Sequence, residues 1–189
     1  EWMKMALRRA LILLADGAEE MEVIITSDVL RRAGIEVVLG GLFGMEPVTC
    51  ARKARLLPDA AVDDAVKEKH DVIILPGGLP GSETLANTSK VGDILRSQLS
   101  SGGYIAAICA APIAFAAHSI QKGATLTSFP GVRNKLEEAG YNYSEDRVVV
   151  DGNMITSRGP GTAFEFALKL VEILVSSEES KKLHEGMLL

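Results

Sequence analysis

The fold of this chain is decided by the stretch YIAAICAAP at residues 104–112. Its first five residues are apolar and are predicted to form a fully buried strand of a parallel sheet. The run stops at Cys109, and Pro112 then begins a helix, because proline is tolerated in a first turn where its missing N–H is not needed. A strand, a sharp turn and a helix form a nucleophile elbow, which presents a reactive side chain at the carboxyl end of a sheet.

Cys109 is the candidate nucleophile of this elbow. Ala110 and Ala111 are small, so they leave the turn open and its backbone N–H groups accessible. These groups and the dipole of the following helix favour an anion, which gives Cys109 a physical reason to be a thiolate. The alternative is a buried structural cysteine, since free cysteine is among the most buried residue types.

Length and composition limit the kinds of protein that this chain can be. The chain has 189 residues, 47% of them hydrophobic, which suits a single domain over residues 1–189 with a substantial core. The net charge is −5 with scattered basic residues, so there is no clear nucleic-acid footprint. Two cysteines are too few for a disulfide framework and indicate a reducing compartment. The apolar run at residues 10–15 is too short for a membrane span or a signal peptide, while the start at Glu1 leaves a removed leader as an open alternative.

Strands alternate with helices along the sequence. The strands are predicted at residues 10–14, 35–39, 71–75, 104–108 and 124–129, with hairpins over 48–57 and 147–156. The helices are predicted at residues 18–33, 60–69, 88–99, 112–120, 132–139 and 163–175, with a short one after Ser176. This alternation is typical of a doubly wound, parallel α/β sheet sandwich, whose ligand site lies outside the carboxyl ends of the strands.

Glu22 is the candidate partner of Cys109. It lies on a helical stripe whose other members are apolar, namely Ala18, Ile25, Val29 and Ala33. Because residues 17–22 and Cys109 both follow strands, we expect them at the same edge of the sheet. Desolvation raises the pKa of a carboxyl on an apolar face, and a protonated Glu22 would donate a hydrogen bond to the thiolate. The alternative is a surface residue at the helix edge.

The turn Pro76-Gly77-Gly78 is a third strand end at this edge, and its glycines let backbone approach a ligand closely. The backbone N–H groups of Gly78 and Ala110 are the candidate oxyanion donors. Arg52 and Gly77 are the candidate contacts for an anionic group or the substrate. The alternative for Arg52 is a solvated surface side chain.

The three histidines do not suit the role of a catalytic base. His70 lies at the amino end of a strand, His118 about two and a half turns beyond Cys109, and His184 in the tail. Because the partners of the elbow must cluster at the other edge of the sheet, solvated or structural roles fit the three histidines better.

Cys50, in an irregular hairpin, is predicted to be a secondary oxidation site without a catalytic task. No cluster has metal-ligand spacing, so neither a metal nor an organic cofactor is expected.

The helix predicted at residues 18–33 has a second apolar side. Its members are Met21, Val23, Ile24 and Leu30. A helix that is apolar on two sides is covered on both, here by its own sheet and by something else.

Four motifs resemble the DJ-1 family of the ThiJ/PfpI, amidotransferase-like superfamily: GAEEME at 17–22, LPGG at 75–78, AAICA at 106–110 and TSRGPGT at 156–162. The resemblance runs from about residue 7 to residue 174. It implies a flavodoxin-like fold of the class I glutamine amidotransferase type, a homodimer and an oxidation-sensitive elbow cysteine. It also implies a protonated glutamate partner at Glu22 and a cross-dimer arginine at Arg52, and the second apolar side fits the dimer interface of the family.

The resemblance further implies cytoprotection under oxidative stress. It implies glyoxalase and deglycase activity on methylglyoxal and its adducts, together with chaperone and redox-sensor roles. The protein is then expected in the cytoplasm, with further mitochondrial and nuclear pools.

Three positions depart from the family pattern. Ala110 stands where protease-like and hydrolase-like relatives carry histidine directly after the nucleophile, which argues against a Cys-His-Glu triad. Phe129 stands where many members of the DJ-1 family carry histidine, so proton transfer assigned to that histidine is not expected here. Leu57 replaces a further family cysteine.

The sequence therefore predicts a cofactor-independent enzyme. The Cys109 thiolate attacks a small α-oxoaldehyde, and the resulting hemithioacetal is rearranged and released as a hydroxy acid. Glu22 gives and takes the proton, and Ala110 with Gly78 stabilises the oxyanion. The alternative is a non-enzymatic redox sensor or chaperone whose Cys109 is oxidised to the sulfinate.

Overall fold

The computed structural model describes residues 7–189, so residues 1–6 of the predicted single domain lie outside the described part of the chain. The strands are β1 (Arg9–Leu14), β2 (Glu36–Gly41), β3 (Val48–Thr49), β4 (Arg55–Leu56), β5 (Ala60–Ala61), β6 (Val72–Leu75), β7 (Tyr104–Ile108), β8 (Thr125–Leu126), β9 (Asn142–Tyr143), β10 (Val148–Asp151) and β11 (Met154–Ser157). The helices are α1 (Glu20–Arg32), α2 (Val62–Ala65), α3 (Leu79–Asn87), α4 (Ser89–Ser100), α5 (Pro112–Ala117), α6 (Arg133–Glu138), α7 (Ala163–Leu174) and α8 (Ser177–Gly186). Short 3₁₀ segments precede α6 and α7, at Pro130–Val132 and Pro160–Thr162.

Seven strands form the main sheet in the order β10-β11-β7-β6-β1-β2-β5. All neighbouring pairs are parallel except β10 with β11. The strand that carries the elbow, β7, lies inside the sheet between β6 and β11. The predicted class, a flavodoxin-like and mostly parallel α/β sheet flanked by helices, is confirmed.

The core has two layers because the sheet is covered on both faces. Successive side chains of a strand point to opposite faces, so Leu11 of β1 packs into one layer and Ile12 into the other. The first layer lies under α3, α4 and α5 and contains Phe115, and the second lies under α1 and α7 and contains Phe166. Burial of each such side chain contributes roughly 1.5–3 kcal/mol. Among residues 7–189, no helix has the length and apolar character needed to cross a membrane.

Two predicted elements are wrong in type or extent. The region predicted as a helix at residues 60–69 begins with β5, which pairs with β2 next to Gly40 and Gly41, and only four residues of α2 follow. The strand predicted at 124–129 is limited to β8, which pairs with β9 outside the main sheet. Beyond β8 the backbone bonds to other partners: the Thr127 N–H donates to the Thr156 hydroxyl at 3.0 Å, and the Phe129 N–H donates to the carbonyl of Cys109 at 2.8 Å.

One helix was not predicted. The sequence of α3, LPGSETLAN, contains a proline and a glycine and carries a weak helical signal. Pro80 falls in the first turn, where proline is tolerated. Gly81 packs on the backbone of Ala18, and a Cβ at this position would lie 2.8 Å from the Ala18 nitrogen. The glycine that weakens the helical pattern is therefore needed for close packing against the turn after β1.

Candidate functional site

Cys109 occupies the predicted nucleophile elbow at the end of β7. Its φ is +65°, in the left-handed region that a residue with a Cβ seldom adopts. Two backbone hydrogen bonds hold this conformation: the Cys109 N–H donates to Ser157 O at 3.1 Å, and Cys109 O accepts from the Phe129 N–H at 2.8 Å. The surrounding structure thus fixes a strained backbone, as is common at reactive sites.

Two backbone N–H groups point at the sulfur of Cys109. They belong to Gly78 and Ala110, the residues predicted as oxyanion donors. Gly78 has a φ of +86°, and a Cβ there would lie 2.7 Å from the Glu19 nitrogen, so only glycine fits. The structure brings both donors to the sulfur, and their action on a reaction intermediate stays a prediction.

Glu22 lies behind Cys109 in the first turn of α1. Its side chain is 1% exposed, which rules out the alternative of a surface residue. The Gly77 N–H donates to Glu22 Oε2 at 2.7 Å, whereas Oε1 has no hydrogen-bond partner among residues 7–189. Burial raises the pKa of the Glu22 carboxyl to about 7, so this carboxyl can carry a proton near neutral pH.

Cys109 and Glu22 titrate as one coupled pair. Beside an ionised Glu22, burial and that negative charge raise the pKa of the Cys109 thiol to about 12. Burial therefore opposes the thiolate that the backbone N–H groups and the helix dipole favour, and the thiolate form of Cys109 stays a prediction. Two buried anions side by side are disfavoured, so in the singly ionised pair one of the two residues keeps a proton.

The hydrogen bonds indicate where this proton lies. The sulfur lies near two backbone N–H groups, those of Gly78 and Ala110, whereas the carboxyl of Glu22 accepts from one backbone N–H group, that of Gly77. Donors stabilise an anion, so the charge is better placed on the sulfur. A proton on Glu22 would then be donated to the thiolate, as predicted from the sequence.

A cavity of about 490 Å³ lies beside Cys109. The side chains that line it are mostly apolar, with one acid and one base: Glu19, Ala51, Arg52, Gly78, Leu79, Pro80, Cys109, Ala110, Phe129, Gly131, Val132 and Pro160. The predicted anion contact Arg52 is among them, and its binding role stays a prediction. Gly77 has another task, since its N–H donates to Glu22 behind the sulfur. A direct contact of Gly77 with substrate is therefore not supported.

The other cysteine lies in a different environment. Cys50 is 2% exposed, and its N–H donates to Ala54 O at 2.8 Å inside the β3–β4 hairpin. Burial, aided by the nearby Glu20, raises the pKa of the Cys50 thiol to about 11. Both features slow its oxidation, and the predicted secondary oxidation of Cys50 remains a prediction.

Mild peroxide is expected to add two oxygens to Cys109 before it modifies Cys50. The rate follows the thiolate fraction and the access to the sulfur. Cys109 is half-buried beside a cavity, and the predicted proton on Glu22 would leave its sulfur anionic, whereas Cys50 is buried. Peptide mass spectrometry at increasing peroxide measures the order. Cys109→Ser serves as the control, in which Cys50 should stay unmodified over the same interval. Modification of Cys50 first in the wild-type protein would contradict the assignment.

The histidines lie away from the cavity, as expected. His70 is buried at the amino end of β6, and the His118 ring lies 2.9 Å from Leu85 O. His184 is exposed on α8. Glu22 thus remains the titratable partner of Cys109 within the described residues, in line with the prediction.

The sequence reasoning missed Glu19. This residue caps α1, where its Oε2 accepts from the Glu22 N–H at 2.9 Å, and it lines the cavity. An acidic residue three positions before Glu22, directly ahead of a helix, is the signal that could have identified it. The apolar walls at Leu79, Val132 and Pro160 come from separate segments and had no such signal.

Comparison with known proteins gives consistent matches. Residues 8–173 match the model of the DJ-1/PfpI family. The chain is similar to protein dj-1beta of Drosophila melanogaster, at 52% identity over 96% of this chain and 97% of that protein. The crystal structure of the Drosophila protein superposes with a TM-score of 0.94 and covers 97% of this chain and 98% of that chain. The chain is also similar to the Parkinson disease protein 7 homolog of Danio rerio, at 49% identity over 98% of this chain and 99% of that protein. A glutathione-independent glyoxalase of Caenorhabditis elegans is 48% identical over 94% of this chain and 95% of that protein.

Proposed function

The chain belongs to the DJ-1/PfpI family, and from this premise we propose that it protects against oxidative stress and acts as a glyoxalase and deglycase on methylglyoxal and its adducts. One observation carries the proposal: a half-buried cysteine on a strained elbow lies beside a buried glutamate at the wall of a cavity. The relative from Caenorhabditis elegans that is a glutathione-independent glyoxalase supports the reaction class.

The reaction begins at the sulfur of Cys109. The thiolate attacks the aldehyde carbon of an α-oxoaldehyde, and the new S–C bond moves the electron pair of the carbonyl onto its oxygen. In the proposed cycle the N–H groups of Gly78 and Ala110 stabilise this oxyanion, which their nearness to the sulfur supports. The proton held by Glu22 then neutralises it, which gives a hemithioacetal.

The second half of the reaction moves two protons and releases the product. One proton passes from the former aldehyde carbon to the neighbouring carbonyl carbon, and the hydroxyl proton passes to the oxygen of that carbonyl, which converts the hemithioacetal into the thioester of a 2-hydroxy acid. Water then cleaves the S–C bond and releases a 2-hydroxy acid, while the pair of Cys109 and Glu22 regains its single proton. No net oxidation occurs, so the cycle needs no redox partner.

The direct test is the formation of lactate from methylglyoxal by the purified protein, without added thiol or metal, followed by proton nuclear magnetic resonance. Lactate formed in proportion to protein concentration supports the proposal. Sulfinate formation at Cys109 without any lactate would favour the non-enzymatic redox sensor instead.

Phe129 forms an apolar wall of the cavity and is expected to be dispensable for turnover. Its ring is 48% exposed and carries no group that exchanges protons. Phe129→Ala should therefore keep most of the wild-type kcat. Phe129→His should raise kcat, because a well-placed general base is worth roughly 10²–10⁴-fold. Lactate assays of both variants check this, and complete loss of turnover in a folded Phe129→Ala protein would show another contribution of this position.

We also propose that the protein is a homodimer through the exposed apolar side of α1. Met21 is 52% and Ile24 46% exposed there, and the exposed Phe164 of α7 lies beside Ile24 at the same surface depression. Apolar side chains grouped in this way favour association.

Ile24→Lys is expected to convert the dimer into monomers at micromolar concentration. The change would bury an unpaired ammonium, which costs several kcal/mol. Light scattering measures the mass in solution. Val150→Lys is the matched control, because Val150 is also 46% exposed but lies on the edge strand β10. A monomeric wild-type protein would contradict the proposal.

A further inference from the structure

Three hydrogen bonds tie Glu19, Gly77 and Glu22 into a closed ring. The Glu19 N–H donates to Gly77 O at 2.9 Å. The Gly77 N–H donates to Glu22 Oε2 at 2.7 Å, and the Glu22 N–H donates to Glu19 Oε2 at 2.9 Å. Because every member of the ring is both donor and acceptor, the two carboxyl groups are held at a fixed separation.

Glu19 is buried while it lines the cavity. Its side chain is only 6% exposed, so its charge is weakly screened by water. That charge acts on Glu22, where it adds to the effect of burial and raises the pKa of the carboxyl. The charge that acts on Cys109 is that of Glu22. Glu19 is hydrogen-bonded to Glu22, whose N–H donates to its Oε2 at 2.9 Å, whereas no hydrogen bond joins Glu19 to Cys109 within residues 7–189. The influence of Glu19 on the pair is therefore unequal, and it falls on Glu22 rather than on the sulfur.

The groups around Glu19 come from several elements. The charged and titratable residues that share the cavity with Glu19, or lie near it in the turn before α1, the first turn of α1 and the β3–β4 hairpin, are Asp16, Glu20, Glu22, Cys50, Arg52 and Cys109. Glu20 is turned to the hairpin, since its Oε1 accepts from the Arg52 N–H at 2.7 Å. Cys50 is neutral at pH 7, because burial raises the pKa of its thiol to about 11. Arg52 is the cation of this set.

We propose that Glu19 is a positioning residue that keeps the proton shared by Cys109 and Glu22 on Glu22, so that the negative charge resides on the sulfur. This role rests on the reactive pair of the proposed function and extends it to a residue that touches neither of the two atoms between which the proton moves. A fixed carboxylate beside Glu22 disfavours a second negative charge there. The sulfur keeps the N–H groups of Gly78 and Ala110, so the charge has a favourable place to go.

The ultraviolet absorbance of the thiolate at pH 7 tests this proposal without any substrate. The signal of Cys109 is the difference between each protein and its Cys109→Ser counterpart. Glu19→Gln keeps an oxygen that caps α1 but removes the charge, and it is expected to lower the thiolate signal at least twofold. Glu19→Ser, a neutral residue that also caps helices well, is expected to lower it equally. Glu19→Asp keeps the charge and should retain the signal.

Glu20→Gln is the matched control, since it removes the same charge from the neighbouring residue and should leave the signal close to that of the wild-type protein. Circular dichroism confirms that each variant is folded. An unchanged thiolate signal in both neutral variants would overturn the proposal. An equal loss in Glu19→Asp would overturn it as well, because the charge would then not be the cause. These outcomes do not depend on lactate formation, so failure of the proposed activity is detected separately.

Discussion

Cys109→Ser is expected to lower the rate of lactate formation from methylglyoxal by at least about 10³-fold, the scale on which enzymes respond to loss of their nucleophile. The elbow should keep its geometry, because the hydroxyl is smaller than the thiol and the backbone hydrogen bonds to Ser157 and Phe129 do not involve the side chain. The serine hydroxyl does not ionise at neutral pH, so it cannot attack the aldehyde carbon as the thiolate does in the first step of the cycle. Steady-state kinetics with methylglyoxal measure the loss.

Cys50→Ser provides the matched control for this variant. The same substitution in the β3–β4 hairpin removes a buried thiol outside the cavity. It should leave kcat within a few-fold of the wild-type value, since Cys50 does not line the cavity. If Cys109→Ser retained the wild-type rate, the sulfur would not be the nucleophile and the proposed cycle would be wrong.

Glu22→Ala is expected to lower turnover by roughly 10²–10⁴-fold, the usual contribution of a general acid and base. It should also raise the pKa of the Cys109 thiol, because a protonated Glu22 no longer donates to the sulfur. Each pKa unit of that rise corresponds to about 1.4 kcal/mol of lost interaction. Titration of the thiolate absorbance measures the shift directly.

Two conservative variants separate the tasks of Glu22. Glu22→Gln keeps an N–H donor of similar shape, so the thiolate should persist while turnover falls for want of an exchangeable proton. Glu22→Asp shortens the reach to the sulfur and should make the sulfinate of Cys109 less stable. A lower thiol pKa in Glu22→Ala would contradict this assignment. It would show that the native pair holds its proton on the sulfur and that Glu22 acts as an anion.

Much of the scaffold of the site could be predicted from the sequence. The apolar run at Tyr104–Ile108 became β7 with the predicted bounds, because a continuous apolar segment that ends at small residues is buried in nearly any arrangement of the sheet. The burial of Glu22 was also indicated, because the residues that share its helical face are apolar. Both features could be predicted because they depend on the pattern of apolar residues among close neighbours in the chain.

Other features depend on distant partners. Ala60–Ala61 forms a strand only because β2 lies beside it. Gly77 has its role because the carboxyl of Glu22, on α1, accepts a hydrogen bond from the Gly77 N–H. The role proposed for Glu19 arises in the same way, from a ring that joins α1 to the turn after β6. The spacing of residues along the chain does not predict these contacts.

The sequence by itself determined the alternation of strands and helices, the elbow at Cys109 and the family motifs around it, because these depend on residues close together in the chain. The tertiary structure alone decided the cavity, which joins segments as distant as Glu19, Phe129 and Pro160. It also decided the burial of the pair and the backbone N–H groups near each of its members, on which the predicted protonation depends. Desolvation and donor geometry exist only once distant segments have packed, and so the chemistry of Cys109 is set by the fold rather than by its neighbours in sequence.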